Sequence, residues 1–409
     1  MAKAVFTGFP AYGHLIPTFG ITRELVRAGD EIVYYCHPRY KAAIEQAGAH
    51  FRDDTCSSRL AESMDRNPST GNDQQQNPAL LLAGSVIMLR EMTQQFLKSC
   101  TTAIAAFNPS YLLHDSCCPW GKQVARNLGI PAISSVTTLA DLIPLPGSGM
   151  RYSSEEKTDT WAEAAALLKQ HYGIAEEDLQ DLFINKEPLN LVYTSSYFQG
   201  DFSHIDNSFL FTGPTTIFDR TEAADFPFEF LKGKVCIYIS LGTVFNRNLS
   251  FFKNCLKAFG DTEYRVVICS GRPVNNNGEL GKIPDNCIVR AHVPQLEVIK
   301  RCDLFITHGG MNSVNEGLYY KKPLLLVPQS ADQFRISRRV EELGAGKSTA
   351  TPEPDPAEIK TLAESLLVDK VIRQGCVRVS ESYKAAGGIP RAVAAINAFK
   401  NKTCRSNVI

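Results

Sequence analysis

Short apolar segments alternate with amphipathic ones along most of this chain, and that alternation restricts its fold more than any other feature. Ala4–Thr7, Glu31–Tyr35, Tyr111–His114 and Ala132–Ser135 read as strands, with helical stretches at Leu15–Arg27, Pro38–Gln46 and Pro119–Asn127 between them. Strand and helix in turn favour a parallel sheet covered by helices on both faces. The pattern fades after Thr212-Gly213-Pro214 and restarts with Val235–Ser240, Tyr264–Cys269, Cys287–Arg290, Leu304–Thr307 and Leu324–Val327. At 409 residues the chain exceeds what one core holds. The reading is α/β, with a domain at 1–214, a linker at 215–233, a second domain at 234–385 and a closing helical segment at 386–409. Helical material is expected from Asp355 to about Lys400, broken at Gly387-Gly388. Two polar stretches, Ser57–Asn77 and Leu139–Ser154, read as loop insertions. Ligands of doubly wound sheets bind beyond the carboxyl ends of the strands, so the residues that follow each strand carry the functional question.

Composition removes several classes of function. Lys+Arg and Asp+Glu both number 43, which leaves no net charge and no global attraction to nucleic acid or an anionic membrane. The 12 cysteines are scattered, and Cys236 and Cys269 fall inside strand-like runs, where a reduced thiol serves as a small apolar side chain. Cys117-Cys118 has no second pair at metal-ligand spacing. The first residues, Met-Ala-Lys-Ala-Val-Phe-Thr-Gly, lack an apolar signal core, and the longest apolar run, Leu80–Leu89, is too short to span a bilayer. A cytoplasmic protein without membrane insertion is expected.

The first strand runs into Gly8-Phe-Pro-Ala-Tyr-Gly13-His14-Leu15 and then a helix. The spacing approaches that of a phosphate-binding P-loop, but His14 and Leu15 stand where Lys and a hydroxyl residue are needed. What remains is an imidazole at a strand-to-helix turn. Histidine titrates near neutrality and can take a proton from an attacking hydroxyl. A carboxylate that fixes its tautomer improves such a base, and Asp115 lies at the end of the strand Tyr111–His114. The competing structural use is that each residue caps its helix.

In the second half, Leu304–Thr307 ends in His308-Gly309-Gly310, with a helix starting near Asn312-Ser313. Glycines let the backbone approach a ligand, and amides at a helix start favour an anion. Ser240, Gly242 and Thr243 follow another strand at the same sheet edge. Glu316 lies where a carboxylate can accept from a ribose diol, and Asp332 and Gln333 follow the strand Leu324–Val327, with groups suited to sugar hydroxyls. The chain contains no Asp-x-Asp, hence no obvious ligand set for a metal-bridged diphosphate. Helix amides, His308 and hydroxyls would take the leaving group's charge instead.

Taken in order, Gly13-His14-Leu15-Ile16-Pro17, Val293-Pro294-Gln295, Thr307-His308-Gly309-Gly310-Met311-Asn312-Ser313 with Glu316-Gly317, and Pro328-Gln329 with Asp332-Gln333 resemble the family 1 glycosyltransferases of the GT-B fold. The likeness is to the bacterial macrolide and flavonoid enzymes and covers nearly the whole chain. It implies two facing Rossmann-like domains with a cleft between them, the last helix crossing back to the first. It implies His14 as base, Asp115 as its support, the Val293 backbone and Gln295 at the base and ribose, and Glu316 at the ribose. His308, Asn312, Ser313 and Thr243 would hold the diphosphate, and Asp332 and Gln333 the sugar; Gly310, Ser240 and Gly242 lie at the same sheet edge. Many relatives carry Trp at the position of His292, whose smaller ring stacks less area on a nucleotide base.

The implied reaction is inverting transfer of a sugar, glucose in the first instance, from a UDP-sugar or dTDP-sugar to a hydroxyl of a small hydrophobic natural product, with neither cofactor nor metal. Two alternatives share the donor site. A sugar-nucleotide 2-epimerase would turn over donor alone. A non-catalytic auxiliary protein would bind the donor without a working base.

Overall fold

The computed structural model describes residues 1–65, 78–140, 142–144, 151–153, 159–172, 185–200, 205–217, 225–242, 248–274, 278–329 and 332–406. The chain divides into two compact units. The first comprises Met1–Tyr193, Gln199–Thr215 and Gly387–Ile409, and the second Thr194–Phe198 and Thr216–Ala386.

The first unit is built on a seven-stranded parallel sheet. Its strands are β1 (Lys3–Thr7), β2 (Glu31–Cys36), β3 (His50–Asp53), β4 (Tyr111–Asp115), β5 (Ala132–Val136), β8 (Leu189–Val192) and β9 (Phe209–Phe211), in the order β3-β2-β1-β4-β5-β8-β9. Between β5 and β8 the strands β6 (Leu142–Pro144) and β7 (Arg151–Ser153) form an antiparallel pair of their own. Successive side chains of a strand point to opposite faces, and here both faces are apolar. Ala4, Phe6, Ile32, Tyr34, Tyr111 and Leu113 join one core cluster, while Val5, Val33, Tyr35 and Leu112 join the other. The first cluster is closed by helix Tyr12–Arg27 and by Ile389, Ala392 and Ile396 of the last helix, Gly388–Ser406. The second is closed by helices Pro78–Phe107, Pro119–Leu128 and Asp159–Tyr172.

Polar contacts fasten the last helix to this unit near both its ends. Gly388 N–H donates to Thr212 O at 2.6 Å, and the Lys400 ammonium meets the buried Asp30 carboxylate at 2.6 Å. The apolar run Leu80–Leu89 lies inside the 30-residue helix Pro78–Phe107. Among the described residues no helix is long and apolar enough to cross a membrane.

The second unit repeats the pattern. Strands β10 (Cys236–Ser240), β11 (Arg265–Cys269), β12 (Cys287–Arg290), β13 (Leu304–Thr307), β14 (Leu324–Leu326) and β15 (Gly346–Ser348) are all parallel, in the order β12-β11-β10-β13-β14-β15. Ile237, Tyr238 and Ile239 at its centre are fully buried.

Several local expectations are corrected. Part of the stretch read as a loop, Ser57–Asn77, is the helix Ser58–Asp65, and 66–77 lies outside the described residues. The second supposed loop, Leu139–Ser154, contains the β6–β7 ladder, whose three-residue strands carry too short an alternation to register. The C-terminal helical material also breaks at Asp369, because its carboxylate accepts from Val371 N–H and Ile372 N–H and starts a new helix. Pro38–Gln46 begins as a 3₁₀ turn, Pro38–Tyr40, before becoming helical.

Candidate active site

In each sheet the strand order reverses once, and a crevice opens there at the carboxyl ends of the two strands involved. In the first unit those strands are β1 and β4. The chain leaves β1 at Thr7 and enters helix Tyr12–Arg27, which places His14 in the helix's first turn; Ala11, not His14, is the N-cap. Asp115 is the last residue of β4 rather than the first beyond it. The two side chains meet, His14 Nδ1 to Asp115 Oδ2, at 3.0 Å.

Asp115 is 3% exposed, and its other oxygen accepts Cys117 N–H at 2.7 Å, so the carboxylate is held from both ends. A carboxylate only accepts, so the proton between the partners sits on Nδ1 and leaves the lone pair of the ring on Nε2. The Phe9 ring packs against the imidazole, with centroids 4.6 Å apart. Thr137 Oγ1, just beyond β5, lies 2.9 Å from the same Nδ1. Among the described residues one group could hold a metal ion by proximity, His14, Asp115 and Cys117, with ligand atoms within 4.8 Å of one another. The hydrogen bonds just described already occupy the facing His14 and Asp115 atoms.

In the second unit the reversal lies between β10 and β13, paired through Ser240↔Thr307. Beyond them come Gly242 and His308-Gly309-Gly310. A Cβ on Gly242 would stand 2.6 Å from His308 Cε1, and one on Gly310 would stand 2.4 Å from His308 Nε2. The imidazole is therefore seated between two bare backbones, and only glycine leaves it room. Burial pushes its pKa down to about 4, so the ring is neutral near pH 7. Gly310 is the N-cap of helix Met311–Tyr319 and has no side chain with which to cap it. Amides in the first turn of a helix, here at Met311, Asn312 and Ser313, favour an anion.

Beside this cradle a directed chain of hydrogen bonds runs through three side chains. Burial holds the Tyr238 phenol well above its ordinary pKa, so it remains a donor, to Gln295 Oε1 at 2.9 Å. With its carbonyl so used, the Gln295 amide donates to Glu316 Oε2 at 2.6 Å, and Glu316 is fully buried.

Of the remaining predicted residues, Ser240 ends β10 and is buried, as is Ser313, while Asn312 and Val293 are half-buried and His292 is exposed. Gln333 begins helix Gln333–Glu342, with Asp332 as N-cap; Gln333 Oε1 accepts Gln329 N–H at 2.8 Å. Thr243 lies outside the described residues. Sequence reasoning missed Thr137 and Tyr238. Tyr238 was accessible to it, because residues two apart on a strand share a face and Ser240 was already singled out. Thr137 follows β5, the strand beside the one that ends in Asp115, and only the sheet order reveals that neighbourhood.

Comparison with known proteins fits this arrangement. Residues 253–397 match the family described as Erythromycin biosynthesis protein CIII-like, C-terminal domain. The chain is 31% identical to the uncharacterized UDP-glucosyltransferase YojK of Bacillus subtilis, over 100% of both chains. It is 28% identical to the oleandomycin glycosyltransferase of Streptomyces antibioticus, over 95% of this chain and 88% of that one. Among solved structures, the glycotransferase of kitacinnamycin superposes with a TM-score of 0.77 at 24% identity, covering 97% of this chain and 99% of the other. The two parallel α/β units, the family match and the full-length relatives together identify the chain as a member of the bacterial family 1 glycosyltransferases, an enzyme of the GT-B fold.

Proposed function

We propose that the enzyme transfers a glucose-type sugar from a UDP-sugar or dTDP-sugar to a hydroxyl of a small, hydrophobic natural product, with inversion, giving a β-glycoside. The observation that carries the reading is the 3.0 Å bond between His14 Nδ1 and Asp115 Oδ2 at the reversal point of the first sheet. It leaves Nε2 as the proton acceptor. The acceptor oxygen forms its bond to the anomeric carbon as its proton moves to Nε2. The bond from that carbon to the diphosphate oxygen breaks, and its electron pair leaves on the diphosphate. Asp115 steadies the imidazolium. General-base catalysis of this kind contributes on the order of 10²–10⁴-fold.

The second unit holds the donor in this scheme. Gly310 and the first-turn amides of Met311, Asn312 and Ser313 surround the diphosphate, with Ser240, Gly242, Thr243 and the neutral His308. Gln295 and Glu316, already aligned on one another, take the ribose. Val293 and His292 take the base, and Asp332 and Gln333 the sugar. The UDP-glucosyltransferase YojK supports the donor class, and the oleandomycin enzyme supports the acceptor class.

Mass spectrometry of acceptor panels incubated with UDP-glucose and, separately, with dTDP-sugars tests the proposal, with the anomeric coupling constant of any product read by NMR. A β-linked product is expected. An α-linked product would overturn inversion. Altered donor without acceptor would support epimerase chemistry, and nucleotide binding without any product would support an auxiliary role.

A further inference from the structure

We infer that Thr137 is a positioning residue for the His14 base, its hydroxyl sharing the Nδ1 proton with Asp115. The inference rests on the general-base reading above and adds to it the group that fixes the plane of the ring. One hydrogen bond anchors a point on an imidazole but leaves the ring free to turn about that bond. Here Nδ1 has two partners, Asp115 Oδ2 at 3.0 Å and Thr137 Oγ1 at 2.9 Å. They come from the ends of adjacent strands, β4 and the residue after β5. Phe9 closes on the ring as well. Turning the ring would break one of the two polar contacts or collide with Phe9.

The direction of each bond follows from the acceptor-only carboxylate. Nδ1 carries the proton, and the Asp115 carboxylate and the Thr137 oxygen both accept from it. Thr137 is 6% exposed, so water cannot replace its hydroxyl at no cost. When Nε2 takes up the acceptor's proton the ring becomes positive, and an oxygen lone pair already at Nδ1 stabilises that charge.

Among the described residues other ionisable groups also lie near this pair, with His114 Nδ1 3.1 Å from the Asp115 backbone carbonyl and His114 Nε2 3.1 Å from Glu187. The Cys117 thiol lies within 4.8 Å of the His14 and Asp115 atoms. Tyr34 and Cys36 from β2, Cys118 after β4 and Tyr193 after β8 all interact with Asp115, and burial pushes each of them above its ordinary pKa, keeping it uncharged. Asp115 and Thr137 are the two side chains within hydrogen-bond distance of His14 Nδ1.

The test compares Thr137→Val, which keeps the shape and removes the hydroxyl, with Thr137→Ser, which keeps the hydroxyl. Steady-state kinetics as a function of pH are read for both, with UDP affinity by calorimetry and thermal melting to confirm the fold. The base must be deprotonated to act, so kcat/KM has an acid limb in its pH profile. Losing an acceptor at Nδ1–H makes the imidazolium less stable. Thr137→Val should therefore move that acid limb to lower pH by about half a unit and cut kcat/KM roughly three- to tenfold. UDP affinity should not change, and Thr137→Ser should restore the limb. An unmoved limb in Thr137→Val, or a Thr137→Ser profile that matches it, overturns the inference. His14→Ala separates the two failures. If it keeps wild-type turnover, the general-base reading falls; if it is inactive while Thr137→Val is unaltered, only the role of Thr137 falls.

Discussion

The two units place a histidine at the same topological point and give it opposite surroundings. Each sheet reverses its order between its first and fourth strands, and each histidine follows one of those strands, β1 for His14 and β13 for His308. His14 has a carboxylate and a hydroxyl on Nδ1. His308 has two glycines against its ring and a pKa held near 4 by burial. At His308 desolvation outweighs the Asp332 carboxylate, which favours the protonated ring. The first arrangement suits a group that must gain a proton during the reaction. The second suits a neutral group that contributes to holding an anion without ionising. Topology fixes where chemistry can occur, and a few neighbouring side chains decide which chemistry it is.

The largest expected effect breaks the two histidines apart. His14→Ala should lower kcat/KM for an alcohol acceptor by roughly 10²–10⁴-fold and leave UDP affinity at the wild-type level. His308→Ala should instead weaken UDP binding, by about tenfold or more, the loss expected for one hydrogen bond to a charged partner. Calorimetry with UDP and initial rates measured on both variants decide the matter. If the two substitutions produced the same pattern, the division of labour between the units would be wrong.

Much of this contrast was legible in the sequence, for reasons that particular residues make plain. Central strands such as Cys236–Ser240 are buried on both faces and read as continuous apolar runs, so their ends, and the residues just beyond, could be located. Those strand ends point to His14, Asp115, Ser240, Gly242 and His308 as candidates. Edge strands such as Phe209–Phe211 and Gly346–Ser348 escaped, because they are short and only partly buried. The low pKa of His308 was not legible at all. It arises from burial of the ring, which follows from tertiary packing that brings Gly242, distant in sequence, against it. The mutual bond between Gln295 and Glu316 is likewise a product of tertiary packing, joining residues 21 positions apart.

A smaller effect sharpens the comparison through pH. His308 titrates near 4 in the folded protein against an ordinary value of 6.5. Between those values the unfolded chain binds the extra proton and the folded one does not. Stability therefore falls as pH drops from about 6.5 to about 4, by about 2–3 kcal/mol from this group alone. His308→Asn should lack that component while keeping the slope that other groups impose. Urea unfolding at pH 7 and at pH 4.5 measures the difference. Equal pH dependence in wild type and variant would mean that the ring is not desolvated as the structure has it.

The finest test concerns the two glycines, which differ in why they must be glycine. Gly310 has an ordinary backbone, φ −65°, and only the imidazole forbids a Cβ there. Gly242 has φ +75°, so a side chain would strain the backbone and also meet the ring. Gly310→Ala and Gly242→Ala should each destabilise the protein by about 1–3 kcal/mol, through overpacking against His308. In a His308→Ala background the ring is gone. Gly310→Ala should then become nearly neutral, while Gly242→Ala should still cost about 1 kcal/mol for its left-handed backbone. Denaturant unfolding of the two double-mutant cycles measures these couplings. A Gly310→Ala penalty that survived the loss of His308 would show that the helix start, rather than the histidine, demands glycine there. The second unit's histidine would then lose half of the setting that distinguishes it from the first.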